Sequence, residues 1–206
     1  MRLASALFLV VGFPVAALAQ STVDSLDLTG RTNIAFGLGL TGSSQAAVSP
    51  SSVSARTTSE VASFAFSRWV RPQVAIQIST ALVGASSDMG VRGQANATVP
   101  LLFGFSYSPR ALAITPAIRP YVSVAAGPYT HFFTDALFDH LSAGTETHAG
   151  ARFGAGANWL VAQHFMLSVD GHYHAVQRFV QPDAPASNVS GFGMSLGLGF
   201  SWGGKY

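Results

Sequence analysis

Large apolar residues alternate with small or polar ones along most of this chain. The period is two, the spacing that puts successive side chains on opposite faces of a β-strand. The segment nearest the C-terminus carries it furthest. Phe192, Met194, Leu196, Leu198, Phe200 and Trp202 share one face, while Gly193, Ser195, Gly197, Gly199 and Ser201 share the other. Ile34, Phe36, Leu38 and Leu40 alternate in the same way with Asn33, Ala35, Gly37 and Gly39. Val74, Ile76, Ile78 and Leu82 alternate with Gln73, Ala75, Gln77 and Ser79. Val99, Leu101, Phe103, Phe105 and Tyr107 alternate with Thr98, Pro100, Leu102, Gly104 and Ser106.

The pattern predicts eight strands, at 31–41, 57–70, 73–84, 95–107, 119–129, 147–160, 164–176 and 189–202. Between them, 42–56, 85–94, 130–146 and 177–188 read as long loops rich in Ser, Gly, Asp and Pro. The connections at 71–72 and 161–163 are tight, and 108–118 is longer. An even number of strands with short turns at one end and long loops at the other suits an up-and-down barrel entered from the periplasmic side.

Which face looks inward is decided by the polar residues. A soluble barrel buries its bulky face and shows Lys and Glu to water. Here the face opposite the bulky one is Gly, Ala, Ser, Asn and Gln. That inversion predicts a barrel with its bulky face in lipid and a narrow interior of small residues. The fold expected is therefore all-β, a closed eight-stranded antiparallel transmembrane barrel over residues 20–206.

The first residues differ. Arg2, an apolar run from Ala4 to Leu18 and the Ala17-Leu18-Ala19 pattern predict a cleavable signal peptide over 1–19. Its apolar run is shorter than the roughly 20 residues that span a bilayer as a helix. Composition agrees with export to a membrane. The chain is 49% hydrophobic and 10% charged, with 21 Gly and no Cys. This excludes a disordered chain and any disulfide or Cys-zinc scaffold. A net charge of +2, from 11 basic and 9 acidic residues, implies no nucleic-acid surface.

Aromatic residues give a further expectation. Trp69, Tyr107, Trp159 and Trp202 end the four descending strands and are predicted to form an interface girdle. Trp69 departs from the parity of Phe64 and Phe66, which a bulge near Ser67 or a Trp already in the turn would reconcile.

Three stretches carry a family likeness. They are RPYVSVAAGPY (119–129), RFGAGANWLVAQHFMLSVDGHY (152–173) and GFGMSLGLGFSWGGKY (191–206). In these the chain resembles the small eight-stranded outer-membrane barrels, the group of the OmpA transmembrane domain, OmpX and the opacity-type porin-like proteins. The resemblance implies the outer membrane of a Gram-negative-type bacterium, with lipid and lipopolysaccharide around a monomer. It also implies that Phe200, Trp202 and Tyr206 form the terminal signal read by the outer-membrane assembly machinery.

The remaining chemistry lies in a few polar residues. Ser168, Asp170, His172 and His174 share one face of the seventh strand, and Arg152 and Asn158 join them from the sixth. Arg56 and Glu60 lie near the upper end of the second. Charges inside a membrane protein pair with each other, so Arg152, Asn158, Asp170, His172 and His174 are expected to form a lumen network. An alternative has Asp170 orienting His172 as a general base in a lipid-modifying enzyme, which also needs a nucleophile within reach. Two His at i, i+2 can chelate, but no third ligand has supportive spacing.

No catalysis, metal or cofactor is therefore expected. A true porin needs about sixteen strands, so only a narrow pore for small solutes stands beside a structural or surface-interaction role. Specificity for an extracellular ligand would reside in the loops. In 130–146, Phe133, Leu137 and Leu141 stand at helical spacing behind Thr134, predicting a short amphipathic helix at the mouth or an extension of the flanking strands.

Overall fold

The computed structural model describes residues 28–43, 57–58, 62–89, 93–112, 114–115, 117–137, 140–162, 164–177 and 190–204. The expected signal peptide, Arg56, Glu60, most of loops 42–56 and 177–188, and Tyr206 lie outside them. Eight long strands form one antiparallel sheet: β1 (Arg31–Ser43), β2 (Ala62–Arg71), β3 (Val74–Met89), β4 (Gly93–Tyr107), β5 (Ile118–Leu137), β6 (His140–Leu160), β7 (Phe165–Val176) and β8 (Gly191–Gly203). Each pairs with its sequence neighbour, and β1 pairs with β8 from Arg31↔Gly203 to Ser43↔Gly191, closing the barrel. Thr57–Thr58 continues the β2 line upward, opposite Gly42 and Thr41.

The parity read from the sequence sets the two faces. Phe36, Leu38, Leu40, Phe192, Met194 and Leu196 are all more than 60% exposed, and Ile76, Phe103, Phe105, Phe153 and Phe165 more than 50%. An apolar coat of this kind is stable only where lipid replaces water, and closure meets the same demand by pairing the strand edges. The interior holds two small apolar clusters, Leu102 with Ala125 and Tyr129, and Leu28 with Trp69 and Ala75.

Trp69 corrects the expected girdle. It is 4% exposed and lies inside the barrel, whereas Tyr107, Trp159 and Trp202 face outward, each at least 38% exposed. The β2–β3 ladder runs without a shift from Ala62↔Leu82 to Trp69↔Ala75. No bulge near Ser67 therefore turns the strand, and Trp69 keeps the inward parity of Ser63, Ala65 and Ser67.

Two expected loops are largely strand. β3 and β4 reach Met89 and Gly93, so 85–89 and 93–94 are strand. β5 and β6 pair as far as Leu137↔His140, which overturns the helix reading of 130–146 in favour of strand extension. The reason is arithmetic: a spacing of four is also a multiple of two, so Phe133 and Leu137 share one face of β5 as they would share one helix face, while Leu141 falls beyond the turn on β6. As a result the barrel is lopsided. β3, β4, β5 and β6 have 16, 15, 20 and 21 residues. β1, β2, β7 and β8 have 13, 10, 12 and 13.

At the opposite end the connections are short and tied down. Residues 72–73 form a tight turn. The longer 108–117 link contains a 3-10 turn at Arg110–Leu112 and is anchored by Ser108, whose N–H donates to Gln73 O and whose hydroxyl donates to Pro120 O, both at 2.8 Å. Short turns set this end apart from the end that carries the long loops. Ahead of β1, Arg31 N–H donates to Leu28 O at 2.9 Å across a turn whose third residue, Gly30, has φ +81°. That left-handed position favours glycine. The turn tucks Leu28 against Trp69.

Candidate functional site: the barrel lumen

Three layers of side chains fill the interior. The floor, at the short-turn end, is Leu28, Trp69, Ala75 and Leu160. Asn33 ties it to the wall: its amide oxygen accepts from Trp69 Nε1 at 3.1 Å and its amide nitrogen donates to Ser201 Oγ at 2.7 Å. Arg31 and Arg119 are buried at this level. Only about 10 Å³ of free space remains among these residues.

Above the floor lies a cavity of about 110 Å³, bordered on one side by Ser63, Ser67, Gln77, Ser79 and Ser195 and on the other by Tyr121, Ser123, Arg152, Asp170 and His174. Asp170 is the hub. Its Oδ2 accepts from Tyr121 Oη at 2.8 Å, and its Oδ1 faces Arg152 Nη2 and, at 2.8 Å, His172 Nδ1. Arg152 Nη2 is also 3.1 Å from His172 Nδ1. With its proton on Nδ1, His172 donates to the carboxylate, and Arg152 then bonds Asp170 alone. Burial strengthens such bonds and makes each partner costly to remove.

The upper layer is aromatic and imidazole. The His172 and His174 rings meet edge-on with centroids 4.9 Å apart. Tyr129 Oη lies 2.7 Å from His174 Nδ1, and Thr98 Oγ1 lies 2.9 Å from His131 Nδ1. Higher on β6, His148 Nε2 is hydrogen-bonded to Glu146 Oε1.

Glycines make these large inward groups fit. A Cβ at Gly156 would stand 2.1 Å from Val169 O and 3.0 Å from Tyr121 Cζ. A Cβ at Gly193 would stand 2.4 Å from His172 Nε2, and one at Gly150 2.6 Å from the Tyr129 ring. The inner glycines are thus recesses for side chains of neighbouring strands, rather than a uniform lining.

Of the residues expected in the lumen network, the structure joins Arg152, Asp170 and His172 directly and adds His174 through its ring. Asn158 faces the lumen but makes none of these bonds; it lines both the cavity and the floor space. The sequence reading missed Tyr121, Tyr129 and the inward Trp69. For both tyrosines the signal was present, since each has the parity opposite to outward Val122 and Val124.

Chemically, Asp170 on Nδ1 of His172 has the geometry of an oriented base. Its surroundings oppose that use. The carboxylate already has three partners, the His172 side chain is 0% exposed, and Nε2 points at the Gly193 backbone. Among the described residues no group of three or more His, Asp or Glu is placed to hold a metal ion.

No family model matches the sequence, and no curated protein matches it. Solved structures do. The outer membrane protein OprG of Pseudomonas aeruginosa superposes with a TM-score of 0.57 at 14% identity, over 86% of this chain and 98% of that one. The attachment invasion locus protein Ail of Yersinia pestis gives 0.56 at 12%, over 84% and 99%. Neisserial surface protein A gives 0.53 at 10%, over 82% and 95%. The fold is that of the small eight-stranded outer-membrane barrels.

Proposed function

We propose that the protein is a non-catalytic barrel of the outer membrane of a Gram-negative-type bacterium. In this reading its lumen is a structural core and its working surface is the tall wall formed by β3–β6. The observation that carries it is the occupancy of Asp170. With Arg152, Tyr121 and His172 all on one carboxylate, above a floor of Trp69 and Leu28, the charged residues at the centre of the lumen are committed to one another. An eight-stranded barrel is just wide enough for side chains to fill it.

The tall wall offers what the lumen does not. The β6–β7 ladder ends at Gly150↔Val176, so no described strand pairs with the free side of β6 from His140 to Ala149. The β2–β3 ladder ends at Ala62↔Leu82, below Met89, with Thr57–Thr58 lying beside β3 above it, so the open edge is that of β6. Free strand edges are templates for an extended segment of a partner. Such a surface suits a protein ligand outside the cell better than a small solute.

Planar-bilayer recording tests the closed lumen. The expected result is a silent membrane; discrete, protein-dependent current steps would establish the pore instead. Release of fatty acid from lipopolysaccharide, lost on His172→Ala, would establish the enzyme.

A further inference from the structure

The described outward rows of the eight strands are apolar or uncharged except at the lower end of β2. On β2 the outward residues are Ala62, Phe64, Phe66, Arg68 and Val70. Arg68 is exposed and is the only charged residue among the described outward positions above the strand ends; Arg71, which ends β2 beyond a register shift and pairs with Val74, is the one other exposed cation of this row. No described side chain bonds it.

Its depth is set by the ladder. Arg68 stands directly opposite Thr32 on β1, and Thr32 stands opposite Trp202 on β8. Arg68 and Trp202 are thus two strand spacings apart, roughly 10 Å. Trp202 belongs to the outward aromatic band with Tyr107 and Trp159, near the short-turn end of the barrel. An arginine on the lipid face is most costly at the bilayer centre and cheapest at the headgroup level. At that level the charges within its reach are lipid phosphates.

We propose that Arg68, with Thr32 and Trp202 beside it, forms a headgroup site for the phosphodiester of an anionic glycerophospholipid in the periplasmic leaflet. Guanidinium pairs with phosphate in a two-pronged geometry that a lysine ammonium does not reproduce. Trp202 supplies an amphipathic ring for the interface, and Phe66 and Phe200 extend the apolar wall from the row toward the bilayer centre. The site rests on the membrane location and orientation of the reading above but not on its closed lumen, so the two stand or fall separately.

The test uses the whole protein in vesicles of phosphatidylcholine containing a titrated fraction of phosphatidylglycerol. In a Trp159→Phe background the lipid-accessible indole is Trp202, because Trp69 lies inside the barrel. Quenching by acyl-brominated forms of each lipid then reports their relative affinity at this face. Phosphatidylglycerol is expected to be favoured about fivefold at low salt, the scale of one interfacial cation. The preference should vanish in Arg68→Gln, survive in part in Arg68→Lys, and persist in Arg71→Gln, which removes the cation at the end of β2, beyond the register shift. Heat-modifiable gel mobility verifies that each variant is folded. Absence of a preference in the parent, its persistence in folded Arg68→Gln, or an equal loss in Arg71→Gln would overturn the proposal.

Discussion

Two sides of the same lumen solve the filling problem in opposite ways. The β5–β7 side carries Tyr121, Tyr129, Arg152, Asp170, His172 and His174, all large and nearly all bonded to one another. The β8–β1–β2–β3 side carries Ala35, Gly37, Ser63, Ala65, Ser67, Ser79, Ser195 and Gly197. One side reaches and the other recedes. The 110 Å³ cavity lies between them, where the reaching side chains stop. A barrel of fixed circumference need not be filled symmetrically; it needs only that the two contributions sum to the available width.

Substitutions that blur this division should cost most where the large groups depend on each other. Asp170→Ala strands the Arg152 charge and removes the acceptor for Tyr121. A buried ion pair broken on one side typically costs about 3–5 kcal/mol. The expected result is a marked drop in the urea midpoint for unfolding from lipid, read by gel mobility. Gly156→Ala acts from the other direction, pushing a methyl against Val169 O and the Tyr121 ring. Overpacking of this kind costs about 1–3 kcal/mol, and the same assay should show a smaller loss. Ser79→Ala should do least. Ser79 Oγ is buried with no partner among the described residues, so its removal deletes an unsatisfied group. A change within about 0.5 kcal/mol is expected, and a large loss there would mean that the receding side also carries a bonded network.

Much of this division was legible in the sequence. Alternation located every strand to within a few residues at its lower end and assigned the inward row of β7 correctly. It failed in three places for separable reasons. Trp69 was placed by residue type, as an interface aromatic, against its own strand parity. The upper parts of β3–β6 read as loops because their composition is polar, yet polar residues are what a strand carries once it leaves the lipid. The hub of the lumen was only half visible. Asp170 and His172 are neighbours on one strand, but Tyr121 reaches Asp170 from β5 through the register of two ladders and the recess at Gly156. No local pattern encodes that.

The seam between β1 and β8 has a kinetic meaning. It joins the first and last strands of the barrel along the full length of both, from Arg31↔Gly203 to Ser43↔Gly191. Contacts so distant along the chain form late, because the loop-closure entropy of the whole barrel must be met before they stabilise anything. Until β8 is in place, β1 presents an open edge of thirteen residues to whatever strand it meets. Closure of this barrel therefore waits on delivery of its final strand to its first, and until then the edge of β1 is open to mispairing.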